Sequence, residues 1–320
     1  MSKRFNKATI IPVVSAPGEL QLDRPLPIAD SLTFENVEGW LNPERFSVWR
    51  DWLSRRDREN LSSVRYAVLH YFDSSMPTSR EEADSDEFAF KVFACLRIIK
   101  PTRNNFEPIK VEFKDKEKRE IDVVSVTHPS TIWPNVPDAE AINSINLNDI
   151  QKLKDVLPAF LDLASKGPEN IRRAVRLLNE GYSEVRDPTI QIVVWCMGIE
   201  SLFATDADHV SESSVTRSID RAVGLKTDIY EHSAIREIMP NLSVEVGKLV
   251  ADLFHVRNLF VHGQWIPSDW KSKYVRTGLS GDSIHYVDVL REAASFILRQ
   301  ALLEHLETRE IILPFPKTSA

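Results

Sequence analysis

Glycine is scarce in this sequence, with 10 residues of 320. Tight β-hairpins draw on glycine for positive φ, so a hairpin-rich all-β fold is not expected. The sequence has no G-x-x-x-x-G-K-[ST] and no G-x-G-x-x-G, so the loops that cradle nucleotide phosphates are set aside. It also lacks HExxH and the nucleophile elbow G-x-S-x-G. Cysteine is limited to Cys95 and Cys196, each inside an apolar run. We read both as buried thiols of a reducing compartment, which argues against a disulfide framework or a cysteine-rich zinc site. The longest strongly apolar run, Ile190 to Ile199, is interrupted by Gln191 and is too short for a bilayer. Lys3, Arg4 and Lys7 precede Ile10–Val14, but that stretch is short and carries Pro12, so a signal peptide is not expected. A cytoplasmic protein without a membrane partner is the expectation.

An excess of positive charge is missing as well. Forty Lys and Arg stand against 47 Asp and Glu, a formal net charge of −7. Divided at residue 145, the chain carries 20 basic and 23 acidic residues before it and 20 and 24 after it. Neither half is a basic module, so DNA is not an expected partner and any contact with RNA must be local.

Apolar residues make up 42% and charged residues 27%. That is close to the average for globular proteins and supplies a sizeable core. The length fits two domains. Before residue 130 the signals are mixed. Ala8–Val14, Tyr66–Phe72, Ile109–Phe113 and Ile121–Thr127 read as strands, the last two joined as a hairpin across KDKEKRE. Phe46–Leu53 and Phe88–Ile99 read as helices, with Pro101 ending the second. The acidic stretch Asp73–Glu87 reads as a surface loop. Residues 1–130 are therefore expected to form an α+β domain of unknown role. Residues 131–147, with Pro134 and Pro137, are the expected junction.

Beyond the junction the apolar period becomes 3.6 and stays there, predicting an all-α helical bundle over residues 148–310. Ile150, Leu153, Val156, Leu157, Phe160 and Leu161 make one stripe, capped by Asn148 or Asp149 and kinked at Pro158. A helix from Pro168 carries Ile171, Ala174, Val175, Leu178 and Tyr182. Asp187-Pro188 starts a helix that is apolar almost all round to about Ala204, the pattern of a central helix. Three more are expected: Ser214–Val223 ending at Gly224, Ser243 to about His262 ending at Gly263, and Ser283–Glu307.

The helix from Ser243 ends in LFHVRNLFVHG, whose polar members include Arg257, Asn258 and His262. Asn258 and His262 are four residues apart and share a face. The core stripe is assigned to Leu249, Leu253, Val256 and Phe260, which leaves the trio off the core at the helix end. By residue type alone the trio also fits a satisfied polar rim.

R-N-x-x-x-H at the end of such a helix resembles the signature of the HEPN superfamily. The likeness extends to GIESLF (Gly198–Phe203) and SVTRSIDRAVGL (Ser214–Leu225), in the order of the prokaryotic branch similar to abortive-infection (Apea-like) HEPN proteins. It covers about half of the chain. The resemblance implies a helical, dimeric domain and, in active members, a metal-independent endoribonuclease of stress or phage defence. It implies Arg257, Asn258 and His262 as the catalytic set, RNA as the substrate, and no cofactor. The chemistry suits the residues: an imidazole can move the 2′-OH proton or protonate the leaving group, and a guanidinium can hold the phosphate. Some members of the superfamily keep the fold and bind a nucleotide or a protein without cutting. The rival expectation is therefore a non-catalytic module with an N-terminal sensor.

Other candidates rank lower. Glu200 sits in the apolar helix and needs a partner; a structural pair with an Arg such as Arg221 is the favoured reading, and orienting Arg257 is the alternative. Asp206, Asp208 and His209 read as a solvated acidic turn rather than a metal site. Trp265 and Trp270 follow the motif and either stack on RNA bases or seal the bundle end.

Overall fold

Short apolar strands rich in β-branched residues build a six-stranded antiparallel sheet in the first part of the chain, here described from a computed structural model. The structure describes residues 7–13, 22, 24–42, 62, 64–72, 78–101, 109–115, 120–126, 145–183, 185, 187–203, 212–229, 243–264, 266, 274–276 and 283–308. The strands are β1 (Lys7–Val13), β2 (Leu26–Ala29), β3 (Leu32–Asn36), β4 (Tyr66–Phe72), β5 (Ile109–Asp115) and β6 (Glu120–Val126), ordered β2-β3-β4-β1-β5-β6. Helix α1 (Thr78–Ile99) links β4 to β5, which flank β1 from opposite sides.

Pro12 occupies the central strand β1 without breaking it. Pairing with β5 covers only Lys7 to Ile10, whereas pairing with β4 continues to Val13. The missing N–H of Pro12 therefore falls where the strand has one neighbour, the place a sheet tolerates proline. Both faces of the sheet are covered. On one, the His70 ring stacks on Phe88 of α1 with centroids 4.1 Å apart. On the other, Trp40 meets Phe113 edge-on, and Tyr71 and Thr33 donate hydrogen bonds to the buried Glu35 carboxylate.

The chain divides into two compact units. One comprises Met1–Leu96 and Thr102–Leu157, the other Arg97–Pro101 and Pro158–Ala320. Among the described residues after 145 there are six helices: α2 (Leu147–Lys166), α3 (Glu169–Ser183), α4 (Pro188–Phe203), α5 (Glu212–Ala222), α6 (Val246–Val261) and α7 (Tyr286–Thr308). A small hairpin, β7 (Tyr274–Arg276) and β8 (Ser283–His285), precedes α7. The coarse expectation of a sheet region followed by a helical region therefore holds.

In the helical unit α4 is the centre, packed against α3, α5, α6 and α7. Trp195 donates its indole N–H to the Leu178 carbonyl at 3.2 Å, and Gln191 donates to the carbonyls of Gly181 and Val185. These bonds satisfy polar groups that the apolar interior would otherwise strand. The absence of a side chain at Gly181 is what admits Trp195: a Cβ there would lie 2.2 Å from the indole nitrogen.

Several local expectations change. Helix α1 begins at Thr78, inside the stretch expected to be a loop, because that stretch is free of glycine and its acidic residues suit a helix N-terminus. Phe90, inside the expected helix Phe88–Ile99, is 54% exposed. Helix α2 starts two or three residues early: Asn146 and Asp149 cap it reciprocally, each side chain accepting the other's backbone N–H at 3.0 Å. It runs on through Pro158, whose ring lies on the exposed side where the freed carbonyl can meet water. Residues 283–285 form β8 instead of the first turn of α7. The expected helix Phe46–Leu53 and most of the junction 131–147 lie outside the described residues.

Candidate functional site

Helix α6 is anchored at its start by backbone rather than by a capping side chain. Val246 and Gly247 donate their N–H groups to the carbonyls of Thr227 and Leu225, in the turn after α5. At its other end Gly263 adopts φ +67, and Gly263 and Gln264 donate to the carbonyls of Phe260 and Leu259. This is a Schellman motif, which needs a residue at ease in the left-handed region. It fixes His262 as the C-cap residue, at φ −89 and ψ 12.

Arg257 projects from the last full turn towards α4. Its Nη2 lies 2.8 Å from Glu200 Oε2, and its Nη1 donates to Asn258 Oδ1 at 2.9 Å. The side chains of Arg257 and Glu200 are 29% and 21% exposed, so the pair is half-buried. The expectation that Glu200 pairs with an Arg such as Arg221 is corrected here: its partner is Arg257. The reason is geometric. Cys196 approaches the Leu253 carbonyl at 3.8 Å, and Glu200 and Arg257 stand one turn further along both helices. Helices α4 and α6 thus run parallel, and equal steps keep the two charged residues level. Below the pair, burial pushes the Cys196 thiol well above its ordinary range; Glu200 adds to the rise and Arg257 opposes it.

His262 and Asn258 are exposed. The His262 side chain has no hydrogen-bond or ion-pair partner among the described residues. Five helical steps separate Arg257 from His262, which is about 140° around the axis. The structure therefore brings Arg257, Asn258 and Glu200 together and sets His262 apart on the open side.

Phe260, assigned to the core stripe, is 45% exposed, and its neighbour Val261 is 56% exposed. The buried stripe of α6 ends at Val256 because α4, opposite it, ends at Phe203, one turn beyond Glu200. Periodicity alone continues a stripe to the helix end; it carries no signal for where the neighbouring helix stops. Ile190 and Met197 of α4 are also exposed, which the pattern of a central helix conceals. Trp265, Trp270, Asp206, Asp208 and His209 lie outside the described residues. Among the described residues no group of three His, Cys, Asp or Glu side chains converges as a metal site would require. None of the described helices is long and apolar enough to cross a membrane.

Arg257 uses two of the five N–H donors of a guanidinium in these contacts, and its Nε has no acceptor. A positioned cation with donors to spare, an amide beside it and a free imidazole can bind a phosphodiester and move protons. Comparison with protein-family models, with curated proteins and with solved structures finds no match.

Proposed function

We propose that the helical unit is a HEPN-like domain that cleaves RNA without a metal ion, acting in stress or phage defence. The observation that carries the reading is the C-terminal end of α6, where Arg257 is held by Glu200 and Asn258 while His262 stands unpartnered in solvent. A held guanidinium is preorganised to stabilise charge on a phosphate in attack. RNA supplies its own nucleophile, the 2′-OH, so no metal-activated water is required. His262 accepts or returns the proton. Because Arg257 and His262 diverge on one helix, the complete centre is assigned to two protomers of a homodimer, with Phe260 and Val261 as apolar contact area beside it.

One observation favours a second reading. The Glu200 carboxylate already neutralises Arg257, which lowers its pull on a phosphate and suits a non-catalytic binding module. Incubation of purified protein with total RNA in EDTA, beside a His262→Ala control, decides between them. Cleavage by the parent that His262→Ala abolishes supports the nuclease. Intact RNA with both proteins supports the module.

A further inference from the structure

Helices α4 and α6 point their C-termini the same way, and each end carries the negative pole of a helix dipole. A cation is favoured there and a carboxylate is not. Glu200 nevertheless stands in the last turn of α4, and neither last turn contains a basic residue. The Glu200 carboxylate is balanced by Arg257, whose Nη2 lies 2.8 Å from Oε2. Both side chains keep contact with water, so solvent weakens the pair.

A guanidinium offers a phosphate two edges for a bidentate hold: the end edge, Nη1 with Nη2, and the side edge, Nε with Nη2. In Arg257 the side edge is closed, because Nε is buried. On the end edge both nitrogens already donate, Nη1 to Asn258 Oδ1 and Nη2 to Glu200 Oε2. Spare hydrogens remain, but not as a pair on one open edge. Asn258 is a neutral, exposed acceptor and can share its donor with a ligand. Glu200 cannot do so freely. Its charge cancels the attraction that brings a phosphate in, and two anions crowded on Nη2 repel each other.

We infer that the Glu200–Arg257 ion pair is an autoinhibitory latch: Glu200 closes the guanidinium at rest, and an RNA phosphate displaces it from Nη2 while Asn258 keeps Nη1 in place. The inference rests on the proposed role of Arg257 in holding RNA. It gives Glu200 a part opposite to that of a catalytic aid, since neutralising it strengthens the hold on RNA. Opening the latch needs no unfolding, because Glu200 is already partly in water and turning away from Arg257 solvates it fully.

The test measures binding of a single-stranded RNA oligomer, fully 2′-O-methylated so that attack by the 2′-OH is blocked, over a series of potassium chloride concentrations. Glu200→Gln is expected to bind more tightly than the parent. It should also steepen the slope of log K against log salt by about 0.7, the contribution of one further phosphate contact on a single strand. Adding Arg257→Gln to that chain should abolish the gain. Glu180→Gln removes one negative charge from the exposed pair with Arg176 on α3 and should leave the slope as in the parent. Glu200→Ala gives the same reading if the Gln variant does not fold. Binding by Glu200→Gln that is no tighter than the parent's overturns the latch, and so does an equal gain in Glu180→Gln. Unmodified RNA incubated in parallel keeps the two ideas apart. Cleavage by the parent without tighter binding by Glu200→Gln removes the latch and leaves the nuclease. Tighter binding without cleavage by any of the proteins supports the latch and removes the nuclease.

Discussion

Arg257 and His262 differ in what their removal leaves behind. His262→Ala deletes an exposed ring without partners, and the expected stability change is within about 0.5 kcal/mol. Arg257→Ala strands the half-buried Glu200 carboxylate, so a loss of about 1–3 kcal/mol is expected. Adding Glu200→Gln should return part of that loss, a coupling that urea unfolding of the two single variants and the double variant measures. If Arg257→Ala proves as harmless as His262→Ala, the ion pair does not hold the guanidinium. His70 offers a pH prediction in the sheet unit. Burial lowers its pKa to about 4 from the ordinary 6.5. The unfolded chain therefore takes up this proton first as pH falls. Stability that is full above pH 6.5 is lost between there and about pH 4, by about 3 kcal/mol at most. His70→Phe keeps a ring against Phe88 and should flatten the curve in that window, which denaturation at pH 7 and pH 5 checks. The two thiols give a third outcome. Burial raises Cys95 and Cys196 far above their ordinary range, so thiolate is scarce at neutral pH. Neither should react with iodoacetamide until the chain is unfolded. Rapid alkylation of Cys196 under native conditions would contradict the packing of α4 on α6.

Element by element, the sequence was most legible where one face is buried and the ends carry strong signals. Helix α4 is the clearest case: Asp187 accepts the N–H groups of Thr189 and Ile190, and Pro188 is the first helical residue, both readable from two adjacent letters. The stripe Ile171, Ala174, Val175, Leu178 and Tyr182 of α3 is buried throughout as its period requires. Strands β2 and β3 give no sequence signal because they are short, four and five residues, and β2 carries Pro27. The acidic half of α1 is not legible because composition that reads as a solvated loop equally suits a helix whose N-terminus favours negative charge. Close approaches are illegible in principle, since a lone glycine in a helix pattern says nothing of what faces it. Gly181 makes the point testable. Alanine normally favours a helix over glycine by about 1 kcal/mol. Here its Cβ would fall 2.2 Å from Trp195 Nε1, and the displaced indole would also lose its bond to the Leu178 carbonyl. Gly181→Ala is therefore expected to destabilise by about 1–3 kcal/mol with a changed tryptophan emission. A gain in stability would show that Trp195 moves aside at no cost.

At the scale of the whole molecule, the charge balance and the divergent site lead to the same requirement. A chain with a net charge of −7 has no general hold on RNA, and the Arg257 guanidinium at the α6 end is shared with Glu200. A single protomer there offers one Arg and one His on different sides of a helix. The sequence made the trio visible but not this divergence, because Asn258 and His262 share a face and the position of α4 decides where Arg257 turns. In the proposed homodimer a two-fold axis beside the helix end would repeat the same patch, so that Arg257 of each protomer could meet His262 of its partner. Each centre then pairs one guanidinium with one imidazole, which can take the 2′-OH proton and return it to the leaving group. Phe260 and Val261, exposed at the same end, supply apolar area that water would otherwise cover. On the nuclease reading, activity per protomer should fall on dilution in step with dissociation measured by sedimentation. Phe260→Asp should weaken the dimer without unfolding the protomer, since the residue is nearly half exposed. Mixing Arg257→Ala with His262→Ala protomers is the sharper measurement: one of the two composite centres in each mixed dimer then keeps both groups, and activity should reappear from two inactive parents. Any product should carry a 2′,3′-cyclic phosphate or a 3′-phosphate, because attack by the 2′-OH leaves no other end. A monomer that cuts RNA at full specific activity would overturn the two-protomer centre, and inactive mixed dimers would show that Arg257 and His262 act within one chain.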